Sequence, residues 1–120
     1  NLIDDLKRRG IEVFLIGPIQ IPLYGLPQEL SRLLKFNHIS DEELINRLQV
    51  NREIYDAEYK IINLLLNQKL NNNYIEPHKI QCDKKRCYYS DDNGIFFADG
   101  SHISKNGAKL FVKSFENIFK

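Results

Sequence analysis

The chain has 120 residues and a formal net charge of +1, with 42% hydrophobic and 28% charged residues. This length allows at most one domain with a core of its own. Positive and negative charges are nearly balanced and form no basic block, so the sequence lacks the basic surface typical of nucleic-acid-binding proteins. No apolar run approaches the roughly 20 residues that cross a bilayer, and no signal peptide begins the chain. Because the sequence lacks Met and begins with Asn1, we expect it to be a piece of a longer protein.

The first elements are predicted to be a helix and then a strand of a parallel sheet. Asn1–Arg9 carries an apolar stripe at helical spacing, and Gly10 suits the position just after a helix C-terminus. Ile11–Ile16 includes an unbroken apolar run, which is typical of a central strand covered by helices on both faces. Gly17-Pro18 ends this strand.

A loop and a second helix follow. Because α/β folds place ligands at the C-terminal ends of parallel strands, Tyr24 in the loop Gln20–Gly25 is a candidate cleft residue, although an exposed loop tyrosine is more common. The helix is predicted to begin with Pro27 as its first residue. We interpret His38, beyond this helix, as a surface residue. The predicted apolar side of the helix consists of Leu30, Leu33 and Leu34.

The middle of the chain is predicted to be one long helix. Ser40, followed three residues later by Glu43, forms a capping box, and the helix should continue from there to about Gln68. Its apolar face at helical spacing consists of Leu48, Tyr55, Tyr59, Ile62 and Leu66.

Short strands are predicted after this helix. Tyr74–Glu76 reads as the next strand of the sheet, ended by Pro77. Asn93-Gly94 between two apolar runs is a strong hairpin signal. We therefore expect Cys87–Tyr89 and Ile95–Phe97 to pair antiparallel.

Two cysteines, Cys82 and Cys87, flank a loop of four polar residues. They could be unrelated thiols, or they could bind zinc together with His78. A structural zinc site usually has four protein ligands, often from two cysteine pairs, and this sequence has no second pair. A disulfide that closes the short loop is the third possibility, and it suits an oxidising compartment.

The candidate catalytic residues follow the hairpin. Asp99 and His102 lie in a turn between a short predicted strand, Ile95–Ala98, and a helix with Ser104 as its N-cap. The carboxylate can hold one imidazole nitrogen while the other acts as a base. The alternative is a solvated turn whose Asp caps backbone groups. The predicted core-facing residues of the helix are Gly107, Ala108, Phe111, Phe115 and Ile118.

One joint pattern consists of Phe96-Phe97-Ala98, Asp99 and His102, Ile103-Ser104, Gly107-Ala108 and the upstream cysteines. This pattern resembles the last block of the SGNH (GDSL-like) hydrolase family, and looks most like the SGNH domains fused to membrane-bound acyltransferases that O-acetylate surface polysaccharides. In that family the block supplies the catalytic Asp and His, which the resemblance places at Asp99 and His102. A similar Cys pair precedes the block in those domains, which favours the disulfide Cys82–Cys87.

The resemblance implies a flavodoxin-like three-layer α/β/α fold, of which this chain holds only the C-terminal part, with parallel strands and a small β-hairpin. The family places its nucleophile in a Gly-Asp-Ser motif, and its oxyanion Gly and Asn in two further blocks. All three lie N-terminal to the matched region, and the motifs are absent from this sequence. We therefore expect a single α/β domain, residues 1–120, that lacks the nucleophile segment.

The expected function is the C-terminal part of an SGNH-type O-acyltransferase or esterase acting on surface polysaccharide or cell-wall glycan. The resemblance implies an acyl donor and a glycan acceptor for the intact protein, a membrane-embedded acyltransferase domain, an extracytoplasmic location, and no cofactor or metal. The alternative is a non-catalytic α/β module that binds glycan or a partner and uses the Asp/His turn only structurally.

Overall fold

The computed structural model of the chain describes residues 1–22, 25–36, 39–70, 73–116 and 118. Tyr24 and His38, for which the sequence suggested a cleft position and a surface position, lie outside the described residues. The structure is mixed α/β, with helices and short parallel and antiparallel strands, so the predicted fold class is confirmed.

The helices and strands follow one another closely along the chain. No helix within the described ranges is both long enough and apolar enough to cross a membrane. The elements are α1 (Leu2–Arg8), β1 (Leu15–Ile16), α2 (Leu26–Lys35), α3 (Asp41–Arg47), β2 (Gln49–Asn51), α4 (Arg52–Leu70), β3 (Tyr74–Ile75), α5 (His78–Gln81), β4 (Arg86–Tyr88), β5 (Ser90–Asp91), β6 (Gly94–Ile95), α6 (Lys105–Phe111) and a 3-10 turn (Val112–Phe115).

The strands predicted within Ile11–Ile16 and Tyr74–Glu76 are present as β1 and β3, and they pair in parallel as neighbours in one sheet. Leu15 lies opposite Tyr74, and α1 ends before Gly10, whose φ of +76° is the left-handed conformation expected there. The prediction that Ile11–Ile16 is covered on both faces is wrong. Ile11 and Ile16 are 48% and 58% exposed, so much of each side chain faces solvent and not a covering helix.

The long helix predicted from Asp41 to Gln68 is wrong, because β2 separates α3 from α4. Ser40 does cap α3, and its hydroxyl accepts a hydrogen bond from the Glu43 N–H. The chain then becomes extended, and Val50 pairs antiparallel with Cys87. The Asn51 carboxamide oxygen caps the start of α4 by accepting from the Glu53 N–H, 3.0 Å away. Pairing with a strand distant in sequence overrides the local helical pattern here.

The hairpin forms, but its register differs from the prediction. Ser90 pairs with Ile95 and Asp91 with Gly94, so Asp92-Asn93 makes the turn. Gly94 begins β6 with a φ of +126°, a conformation that favours glycine. Cys87 is not part of the hairpin, because β2 is its pairing partner.

Two helix details also differ from the prediction. α2 begins at Leu26, so Pro27 is its second residue. In α6, Gly107 and Phe111 are buried as predicted, whereas Ala108 is exposed.

The main core includes Phe96 and Phe97, which lead into the predicted catalytic turn. Tyr89 and Phe97 pack edge to face, with ring centroids 6.1 Å apart, and the Phe96 and Phe111 rings are 6.3 Å apart. A second cluster places Tyr55 of α4 against the Cys82–Cys87 pair. The buried members of the main core are Leu26, Tyr89, Phe96, Phe97 and Phe111.

Candidate active site

The turn that carries Asp99 and His102 is closed by backbone hydrogen bonds. The Ala98 N–H donates to the His102 carbonyl oxygen at 2.7 Å, and Phe97 bridges to Ile103 just outside the turn. Inside the turn, Oδ1 of Asp99 accepts hydrogen bonds from the backbone N–H groups of Ser101 and His102, each at 2.8 Å. The backbone thus holds the aspartate independently of the imidazole.

The two predicted site residues are in direct contact. Nδ1 of His102 lies 2.6 Å from Oδ2 of Asp99, and the imidazole is 77% exposed. The carboxylate therefore orients the ring through Nδ1 and leaves Nε2 directed away from this contact. The backbone N–H groups of His102 and Ser101, followed by the His102 ring, lower the pKa of Asp99 from its usual 3.8 to about 2. Asp99 is thus ionised at neutral pH and can stabilise a protonated imidazole.

The helix after the turn is anchored to the strand before it. The Ser104 hydroxyl donates to the Ile95 carbonyl oxygen at 2.6 Å and accepts from the Gly107 N–H at 3.0 Å. The Ser104 N–H also donates to the Phe96 carbonyl oxygen at 2.8 Å. The predicted N-cap is thus confirmed, and it ties both ends of the Asp99–His102 turn to the core.

The start of α2 borders the same turn. A Cβ added to Gly25 would lie 3.9 Å from the backbone nitrogen of Gly100. A surface cavity of about 330 Å³ lies where α2 comes close to the turn. Residues of α2 line one side of the cavity, and Asp99 lines the other. Sequence reasoning did not find this neighbour, because no local pattern links α2 to a turn so far along the chain. The lining residues are Gly25, Gln28, Glu29, Arg32 and Asp99.

The cysteines form a disulfide, with their Cα atoms 3.9 Å apart, so the predicted bridge is confirmed. The zinc alternative fails because both thiols are consumed. Among the described residues, no group of three or more His, Cys, Asp or Glu side chains is arranged to hold a metal ion. His78 is instead buried and stacked on Tyr55, with ring centroids 4.7 Å apart, and this burial lowers its pKa.

Serine hydroxyls within the described residues do not contact the His102 ring, whose described partner is Asp99. Ser40 and Ser104 are N-caps. Ser101 lies within the turn and donates its N–H to Asp99. The described residues therefore contain an imidazole oriented by a carboxylate, with no described serine hydroxyl in contact with it.

Comparison with known proteins gives a family and a fold. The family described as "SGNH domain (fused to AT3 domains)" matches residues 1–117. Among solved structures, the chain is similar to the lipopolysaccharide acetyltransferase periplasmic domain of Salmonella ser. Paratyphi A, with a TM-score of 0.62 and 21% sequence identity. None of the curated proteins compared matches the sequence.

The structural likeness covers 98% of this chain and 46% of the Salmonella chain, so this chain spans about half of that domain's length. At this identity, the likeness concerns the fold alone. The family match, by contrast, extends over nearly the whole chain and includes the Asp99–His102 turn. The chain therefore belongs to the family of SGNH domains that are fused to AT3 domains.

Proposed function

We propose that this chain is the C-terminal part of an SGNH-type O-acyltransferase or esterase, in which His102 is the catalytic base and Asp99 orients it. The observation that carries the proposal is the 2.6 Å contact between Nδ1 of His102 and Oδ2 of Asp99, on a ring that is 77% exposed. The contact through Nδ1 fixes the ring, and the exposure leaves Nε2 accessible to an incoming hydroxyl group.

The proposed chemistry needs a serine from the part of the domain that this chain does not contain. Its hydroxyl would pass its proton to Nε2 of His102 while its oxygen attacks the acyl carbonyl of the donor. The donor's leaving oxygen would then take that proton, which produces an acyl-serine. A sugar hydroxyl would then repeat the sequence. It would give its proton to Nε2 while its oxygen attacks the acyl-serine carbonyl. The serine oxygen would leave and recover the proton from Nε2.

Asp99 would act by holding the imidazole in the tautomer with hydrogen on Nδ1, so that Nε2 is the nitrogen free to accept. Its lowered pKa supports this role, because an ionised carboxylate stabilises the imidazolium that each half-reaction forms. We extend the proposal to an extracytoplasmic domain beside a membrane-embedded acyltransferase, with a surface polysaccharide or cell-wall glycan as acceptor. Membership of a family fused to AT3 domains supports this placement.

The test is acyl transfer by the intact protein that contains this domain. We expect His102→Ala to remove most transfer and Asp99→Asn to reduce it by roughly 10²–10⁴-fold, because the imidazole would adopt the wrong tautomer. Asp92→Asn is the matched control, since Asp92 is an exposed carboxylate in the hairpin turn. Near-normal transfer by the His102→Ala protein would reject the catalytic role and favour a non-catalytic binding module.

A further inference from the structure

A second cavity, of about 170 Å³, lies between α2, α3 and β2, and the proposed chemistry does not use it. Most of its wall is apolar, and Pro22, Leu26 and Tyr89 contribute buried side chains to it. Because an apolar cavity of about 150 Å³ can admit a benzene-sized molecule, this one has room for a short apolar group. The other lining residues are Glu29, Asn46, Arg47, Gln49 and Val50.

Arg47 brings an unused hydrogen-bond donor to this cavity. Its two terminal nitrogens donate to carboxylates, Nη1 to Glu29 of α2 and Nη2 to Glu43 at 3.2 Å. Its Nε is buried and has no hydrogen-bond acceptor among the described residues. Because a buried N–H group without a partner costs free energy, an oxygen atom of a ligand that reached Nε would be stabilised there.

The charges at the cavity favour a neutral ligand. The lining contains one guanidinium and one carboxylate, Arg47 and Glu29, and these two groups form an ion pair. Arg47 also pairs with Glu43, so no positive charge is left over to attract an anion. A carbonyl oxygen can accept from Nε of Arg47 without adding a second negative charge beside Glu29.

The cavity is close to the Asp99–His102 turn. Glu29 lines both this cavity and the surface cavity that Asp99 borders, so the two cavities are adjacent at one side chain of α2. The carboxamides of Asn46 and Gln49 also line the cavity, and each can donate to and accept from hydroxyl groups. A sugar that carries an apolar substituent therefore matches the chemistry of the cavity and of its border.

We propose that this cavity binds a short, neutral acyl group of the sugar substrate. The methyl group would lie against Leu26 and Tyr89, and the carbonyl oxygen would accept from Nε of Arg47. An N-acetyl group and an O-acetyl group of a sugar share this chemistry. The inference rests on the proposed function for its assignment to a sugar substrate, whereas the binding itself can be measured without turnover.

The experiment is an NMR titration of the 120-residue chain with N-acetylglucosamine, 6-O-acetylglucose and glucose. We expect at least one acetylated sugar to bind at least about tenfold more tightly than glucose, because only the acetylated sugars bury a methyl group and offer a carbonyl oxygen. That sugar should also shift the Nε–H signal of Arg47, and the tighter of the two identifies the preferred linkage. Equal affinity for glucose, or an Arg47 signal that no sugar shifts at millimolar concentration, would overturn the proposal.

Variants make the test specific. Arg47→Lys keeps a positive charge beside Glu29 but removes the Nε donor, so it should weaken binding of the acetylated sugar about tenfold. Arg52→Lys is the matched control, because Arg52 pairs with Asp56 outside the cavity. Asn46→Trp, at an exposed position that lines the cavity, should obstruct it without changing the core. Unchanged binding by either cavity variant, or an equal loss in Arg52→Lys, would overturn the assignment.

The outcome is separable from that of the catalytic proposal. If the intact His102→Ala protein still transfers acyl groups, the role of His102 fails while Arg47-dependent binding stands. If Arg47-dependent binding is absent while His102→Ala abolishes transfer, the acyl-binding cavity fails and the catalytic proposal stands.

Discussion

The carbonyl oxygen of Phe96 occupies the space that a side chain on Gly107 would need, since a Cβ added to Gly107 would lie 2.1 Å from that oxygen. The first turn of α6 therefore packs directly on the backbone that leads into the Asp99–His102 turn. Because Ser104 also bonds to this backbone, the position of His102 depends on the close approach of helix and strand.

Gly107→Ala is expected to lower the free energy of unfolding by about 1–3 kcal/mol, because the added methyl group overlaps backbone that cannot rotate away. The higher helix propensity of Ala, about 1 kcal/mol, opposes this effect without cancelling it. Urea unfolding followed by circular dichroism measures the change, with Lys109→Ala at an exposed position of α6 as the control. A Gly107→Ala chain as stable as the original would show that the helix can move outward at little cost.

The stability of the chain should depend on the ionisation of Asp99. Its folded-state pKa of about 2 lies below the usual 3.8, so the carboxylate contributes stability above about pH 4. That contribution is lost as the pH falls toward 2. We expect Asp99→Asn to flatten the decline in the free energy of unfolding across this window, as measured by urea titrations at several pH values.

A ¹³C NMR titration of the Asp99 carboxylate identifies the cause of its low pKa. In His102→Ala, most of the lowering should remain, because the backbone N–H groups of residues 101 and 102 are the leading causes. Asp83→Asn is the control, since Asp83, in the disulfide loop, also has a pKa of about 2, mainly because the hydroxyl of Tyr88 donates to its carboxylate. A midpoint near 3.8 for Asp99 in the unaltered chain would contradict the observed geometry.

The Cys82–Cys87 disulfide should be present in the purified chain and should stabilise it. Denatured, non-reduced protein is expected to label no free thiols, and two labelled thiols would contradict the structure. Because the closed loop is short, reduction should lower the free energy of unfolding by about 2 kcal/mol in the chain-entropy treatment. A Cys82→Ala/Cys87→Ala chain should have the lower stability and should not respond to the reductant.

The 120-residue chain alone is expected to hydrolyse acetyl esters only weakly. It provides a base and its carboxylate, and general-base assistance contributes at most about 10²–10⁴-fold. The measurement is p-nitrophenyl acetate hydrolysis by the chain and by its His102→Ala variant. Robust turnover that His102→Ala abolishes would mean that a residue of this chain acts as the nucleophile.

The features that could be read from the sequence are those set by residues close together in the chain. Gly10, Ser40 and Ser104 end or begin helices as predicted, because capping involves only the adjoining turn. The Asp99–His102 contact has the same origin, since a tight turn brings side chains three residues apart to one side. The proposed catalytic roles of these two residues stay predictions.

Features that join distant segments were decided only by the tertiary structure. The stretch around Val50 has a helical pattern, but pairing with Cys87 makes it a strand, and the hairpin register shifts accordingly. The burial expected for Ile16 likewise depends on which elements pack over it. Arg32 reaches the cavity beside Asp99 through the packing of α2, which no spacing in the sequence encodes. The physical reason is that the local propensities of residues other than proline differ by at most about 1 kcal/mol per residue, so pairing and burial between distant segments determine the outcome.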